Sequence, residues 1–198
     1  YKELGETWSA PRIFRLPTDG PKDKNIQDDV YVAVMGGGYG GRDDGVGSAL
    51  FVINLEDNVT PGKVEKVIEV RDNPSIDIIN SIPGSPVVIT PDTSRGIKFT
   101  GALVYTNDFE GKITKYNLTN MEDDGSRNPI KLYDHTTLLS IDASTINGRY
   151  QYHAMDAGIG KTSKNMWLFS GTGDYERLTY RDDNKLNNIM YGYRDTDF

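Results

Sequence analysis

The amino-acid sequence predicts an all-β protein, organised as about three four-stranded blades of an incomplete β-propeller. Three observations carry that prediction. The first is a recurring hairpin: residues 103–118 read LVYTNDFEGKITKYNL, an apolar run, a turn built from Asn107, Asp108 and Gly111, and a second alternating run. The second is that the same plan occurs at 32–55, where VAVMGGGYGG leads through a polar insert into SALFVINL, and at 167–195, where WLFSGTGDY leads into NIMYGYRD. The third is composition: 21 glycines and 12 tyrosines, with no long helical pattern, suit many short strands joined by wide polar loops.

Taken in order, residues 6–16 (ETWSAPRIFRL) read as a strand approached through a Ser-Ala-Pro step, with Pro11 at a strand start where its missing N–H costs nothing. Residues 18–29 are a polar loop. Residues 29–35 (DVYVAVM) form a β-branched run that suits a buried central strand. A wide glycine turn over 36–47 precedes a strand at 48–55. Residues 63–70 (KVEKVIEV) alternate strictly and close a group of four.

The pattern then restarts. Residues 83–90 (PGSPVVIT) repeat the small-residue and proline step, 103–105 and 111–118 supply two strands, and 129–133 (PIKLY) read as a fourth. A third group begins near Tyr150, continues through 165–169 and adds 188–193. The predicted blades are therefore 6–72, 83–134 and 150–198, all within one domain. Equivalent positions recur roughly every 60 to 75 residues, longer than the ~40–50 of common propeller repeats because the loops are expanded. The only helix candidate is 138–146. A β-sandwich also uses short strands and polar turns, but repetition of the whole four-strand pattern favours the propeller. Propellers close with about four to eight blades, so the remaining blades are expected outside this sequence or on another chain.

Composition narrows the function. The 198 residues carry a formal net charge of −7, which argues against nucleic acid, because phosphate binding needs a basic surface. Without cysteine there is no disulfide framework and no thiolate metal site. No apolar stretch approaches the roughly 20 residues that span a bilayer, and the start at Tyr1 suggests a piece of a longer polypeptide.

Motifs that invite chemistry each meet a plainer explanation. The run Gly36-Gly37-Gly38-Tyr39-Gly40-Gly41 leads into a strand and lacks a Lys-Ser/Thr pair, whereas phosphate and dinucleotide loops open a helix at that point. It reads as a permissive turn. Asp19, Asp23, Asn25, Asp28 and Asp29, and the pairs Asp43–Asp44 and Asp182–Asp183, are spaced like calcium ligands, but none matches an EF-hand loop and each reads as a solvated loop. The two histidines, His135 and His153, have no metal-ligand spacing, and no nucleophile and base pair stands out. His153 reads as a packed or edge histidine within a strand. Asn58 and Asn117 begin glycosylation sequons, the second inside a predicted strand.

Three segments together resemble the opening blade of the PilY/PilC family of type IV pilus tip-associated adhesins and biogenesis factors. They are LGETWSAPRI (4–13), VYVAVMGGGYGG (30–41) and GSALFVINLED (47–57). GSPVVITPD (84–92) with 103–118 resembles the next blade, and WLFSGTGDY with NNIMYGYRD the family's later FGTG-x-Y and YG-x-x-D elements. The resemblance keeps the family's order over most of the chain. It implies an exported, non-enzymatic protein at the cell surface or pilus tip, acting in adhesion and pilus biogenesis. The implied partners are minor pilins or other tip subunits, and a host or abiotic surface ligand. It also implies a calcium loop between the S-x-P strand and the following hairpin. Here that interval, 91–100, keeps only Asp92, so Asp92 and Asp108 are the calcium candidates; Thr114 and Asn117 stand where the family has tryptophan and aspartate. Quinoprotein dehydrogenases are also propellers with a D-x-x-G turn resembling Asp108 to Gly111, and a fragment of one is the alternative. They need calcium, cofactor-binding polar residues and a catalytic aspartate in the central funnel, and no such set is identifiable here. A structural subunit of a surface filament is a further alternative.

Overall fold

A computed structural model describes residues 1–17, 28–40, 46–71, 80–91, 93–119, 131–144, 146–162, 164–175 and 188–196. Among the described residues eleven strands form three antiparallel sheets in which each strand pairs with the next in sequence. The first holds β1 (Arg12–Leu16), β2 (Val30–Gly36), β3 (Ala49–Asn54) and β4 (Lys63–Glu69). The second holds β5 (Val87–Ile89), β6 (Gly101–Asn107), β7 (Lys112–Thr119) and β8 (His135–Ser140). The third holds β9 (Asp156–Ile159), β10 (Met166–Gly171) and β11 (Met190–Asp195).

The period-two pattern of each strand decides which sheets meet. Phe14, Val32, Val34, Leu50 and Val52 of the first sheet pack on Ala102, Val104, Tyr116 and Leu118 of the second. The alternate residues of β6 and β7, Leu103, Tyr105 and Ile113, pack on Met166 and Leu168 of the third. The middle sheet is therefore covered on both faces, and the sheets stack in chain order. Each buried aliphatic or aromatic side chain contributes about 1.5–3 kcal/mol. The two large tyrosines of the middle sheet are fully buried and keep their hydroxyls partnered: Tyr116 shares a hydrogen bond with the Thr106 hydroxyl (2.8 Å), and Tyr105 donates to Asp195 (2.9 Å).

The glycine run proves to be a crossing point of three segments. Gly37 N–H donates to Ala49 O, Gly38 N–H to Ile82 O, and Gly37 O accepts from Gly5 N–H, at 2.8–2.9 Å. These amides are consumed by backbone carbonyls, which agrees with a turn rather than an anion cradle. The strand reading needs four corrections. Residues 6–11 and 150–155 are lead-in segments ahead of β1 and β9 rather than strands. The fourth strand of the second sheet is His135–Ser140; of the predicted 129–133, residues 129–130 lie outside the described residues and 131–133 are not strand. Residues 131–134 instead make a turn, closed by Asp134 N–H to Lys131 O (3.0 Å), with Tyr133 at φ 72° and Leu132 and Tyr133 packed on the first core. Apolar content there signalled burial, not strand. Finally, the helix candidate at 138–146 begins as the end of β8, because Leu139 pairs with Ile113 across the sheet, and residues 141–144 that follow are not helical. The third sheet has three strands among the described residues where four were expected.

Candidate functional site

The β6–β7 turn gathers the densest buried polar chemistry among the described residues. Asp108 N–H donates to Lys112 O (3.0 Å) and Gly111 N–H to Asp108 O (3.0 Å). Asp108 Oδ1 accepts the Lys112 backbone N–H at 2.9 Å, so the side chain closes its own turn. Its other oxygen accepts from the Asn80 amide (2.9 Å), which also donates to Glu110 Oε2 (2.6 Å); Lys112 Nζ meets that same Glu110 oxygen at 2.8 Å. Phe109 N–H donates to Ser81 O at 2.7 Å. The segment leading from the first sheet to the second is thereby tied to the turn.

Asp108 is only 2% exposed. Burial pushes its carboxyl up to about 7 from 3.8; the Glu110 charge adds to the rise, while the Lys112 N–H, the Asn80 amide and the Lys112 ammonium oppose it. The folded state therefore holds a proton between pH about 4 and about 7 that the unfolded chain has released, and stability falls as pH rises through that window. At about 1.4 kcal/mol per pH unit the loss is at most on the order of 4 kcal/mol. Urea unfolding from pH 4 to pH 8 is expected to show the decline in the wild type and a flatter profile in Asp108→Asn. Parallel profiles would assign the decline to other groups.

Calcium takes six to eight oxygens. The groups assembled on Asp108 are N–H donors, with an ammonium next to Glu110, which is the surrounding of a hydrogen-bonded carboxylate rather than of an oxygen cage. Among the described residues no group of three or more His, Asp or Glu is placed to hold a metal. Asp92, the other calcium candidate, lies outside the described residues, as do Asp19, Asp23, Asn25, Asp43, Asp44, Asp182 and Asp183. Asp29 pairs with Arg15 at 2.9 Å.

Beside this turn, a buried polar knot joins the second and third sheets. The Asn107 amide donates to Gln151 Oε1 (2.7 Å) and His153 O (2.8 Å), Ser170 Oγ donates to Gln151 Oε1 (3.1 Å), and Gln151 Nε2 donates to the Tyr191 hydroxyl (2.5 Å). Gln151 is fully buried, so its partners satisfy an amide that would otherwise cost about 1–3 kcal/mol. A row of rings crosses the same end of all three sheets. Tyr39 lies 5.4 Å from Phe109, Phe109 stacks on Tyr150 at 4.5 Å and meets Tyr152 edge-on at 4.9 Å, and Tyr152 lies 4.7 Å from Tyr175. The lead-in segments converge there too: Trp8 Nε1 donates to Tyr152 O (3.1 Å) and Ala10 N–H to Ser85 Oγ (2.8 Å).

Sequence reasoning found Asp108 but not Glu110 and Lys112 of the same turn, nor Asn80 and Gln151, which come from separate segments. The aromatic row did leave a signal. Tyr39, Phe109 and Tyr175 each follow the glycine or aspartate turn after the second strand of a repeat. His153 is exposed in a lead-in segment and hydrogen-bonded to the Tyr175 hydroxyl, and His135 lies on β8. Asn117 is buried, its amide donating to Lys131 O at 3.0 Å and its oxygen accepting from Thr119, so the second sequon is used internally. Comparison with protein-family models, with curated proteins and with solved structures finds no match.

Proposed function

We propose that the three sheets are successive blades of a β-propeller, and that the polypeptide carrying them is an exported, non-enzymatic protein of the type IV pilus tip that acts in surface adhesion and pilus biogenesis. The observation that carries the architectural part is the stacking of up-and-down sheets in chain order with lead-in segments converging at one end, as at Trp8–Tyr152 and Ala10–Ser85. A two-sheet sandwich has no place for a middle sheet covered on both faces. Support for the pilus part comes from the ordered resemblance. Its TWSAP and GSP segments are the converging lead-ins, and its Gly-x-Gly-Tyr and FSGTGDY segments supply Tyr39 and Tyr175 of the aromatic row.

In this reading the blades form a rigid body whose loops offer contact faces. Minor pilins or other tip subunits would bind one such face, and a host or abiotic surface ligand another. Calcium is not required by the reading, because the interval 91–100 keeps Asp92 as its single acidic residue. The decisive experiment is disruption of the full-length gene, with pilus number, twitching motility and attachment scored together. All three are expected to fall, and wild-type values would remove the pilus role. Reconstitution with calcium and pyrroloquinoline quinone tests the opposite class: tight quinone binding with dye-linked alcohol oxidation would replace the adhesin with a dehydrogenase.

A further inference from the structure

The stacking follows a rule set by the second strand of each sheet. In β2 the residues Val32 and Val34 face the next sheet and are fully buried by it. At the equivalent places of β6, Leu103 and Tyr105 pack against the third sheet. At the equivalent places of β10 stand Trp167 and Phe169, on the face opposite Met166 and Leu168, and no further sheet among the described residues packs on that face: Trp167 is half-buried, Phe169 is 42% exposed and Met190, beside them on β11, is 85% exposed. The two rings stack with centroids 6.3 Å apart. Phe169 lies over Gly192, where an added Cβ would come within 2.9 Å of the ring, so the strand opposite is shaped to let the aromatic lie flat.

The face at the other end of the stack is treated differently. Tyr1 packs edge-on against Phe51 at 6.1 Å, its hydroxyl donates to Gly62 O (2.8 Å), and Gly47 N–H donates to Glu3 O (2.8 Å). The residues beneath, Ala33, Ala49 and Phe51, are buried. Residues 1–3 thus cover part of the first sheet's outward face, while Ile13 and Tyr31 on that same face stay 63% and 49% exposed.

We propose that the Trp167–Phe169 face is the docking surface for a fourth antiparallel sheet of the same polypeptide. That sheet would present small and aliphatic residues in the places held by Ala102 and Val104 in the second sheet and by Met166 and Leu168 in the third. The inference rests on the propeller reading and specifies where the ring continues. Oxidative footprinting of the natural full-length polypeptide tests it without any variant. Trp167 and Phe169 are expected to label as slowly as the buried Tyr105 and Tyr116, while Trp8, 51% exposed, labels freely. Labelling of Trp167 at the rate of Trp8 overturns the proposal. Protection that disappears on dilution also overturns it, in favour of a second copy as the occupant. Electron microscopy of the same sample separates the two levels. A ring of sheets with Trp167 freely labelled leaves the propeller standing and removes only this interface, whereas absence of a ring removes the propeller itself.

Discussion

Gly38→Ala is expected to destabilise the protein by about 2–4 kcal/mol, through two effects that act together. Gly38 has φ +94°, a conformation that costs an L-residue about 1–2 kcal/mol. An added Cβ would also stand 2.7 Å from the carbonyl carbon and oxygen of Glu6 and 2.9 Å from Thr7 Cβ. Both sides of that contact are held: Gly38 N–H is bonded to Ile82 O, and Glu6 is paired in both directions with Tyr39. Moving the Glu6 segment would disturb the lead-in to β1, where Thr7 and Ser9 bond the Gly36 backbone. Gly62 supplies the control. It has φ +82° with nothing within 4 Å of a built Cβ, so Gly62→Ala carries the conformational cost alone, about 1–2 kcal/mol. Equal losses for the two variants in urea unfolding would refute the crossing-point explanation.

Asp195→Ala is expected to cost about 3–5 kcal/mol, the range for removing one partner of a buried charge pair. Asp195 is 3% exposed, and one of its oxygens accepts from both the Tyr105 hydroxyl (2.9 Å) and Lys115 Nζ (2.8 Å). Burial is the main cause of the upward shift of the Tyr105 hydroxyl, and the bond to Asp195 and its charge add to it, so Tyr105 stays a neutral donor. The three groups join the middle of the second sheet to the last strand of the third. Removing the carboxylate takes the counter-charge from a largely buried ammonium. Asp195→Asn retains an acceptor and loses only the charge, so a smaller loss is expected. A double-mutant cycle with Lys115→Met isolates the pair, and a coupling energy near zero would contradict the assignment.

Much of the strand framework was legible in the sequence. The Val32–Met35, Ala49–Asn54 and Met166–Gly171 runs are apolar, β-branched or aromatic, and their period says strand whatever surrounds them. Edge strands were harder. His135–Ser140 begins with three exposed polar residues, and the neighbouring Leu132 and Tyr133 carry more apolar signal although they form a turn plugging the core. Of the candidate site, Asp108 and the turn were legible because an Asx side chain and a glycine encode a turn locally. Glu110, Asn80 and Lys112 acquire meaning only as mutual neighbours, and Asn80 is remote from the turn in sequence.

The sequence by itself determined the all-β class, three repeats of one strand plan, and the hairpins whose turns carry Asp or Gly. These depend on side-chain period and backbone preference over a few residues, which any local segment expresses. Tertiary structure alone decided which faces meet, why Gly38 must be glycine, and that Asp108 sits among N–H donors with an ammonium beside its neighbour. It also assigned Asp195 to Tyr105, ninety positions earlier in the chain. Those outcomes depend on packing between segments distant in sequence, where burial sets the cost of each charge and close backbone approach sets the cost of each atom.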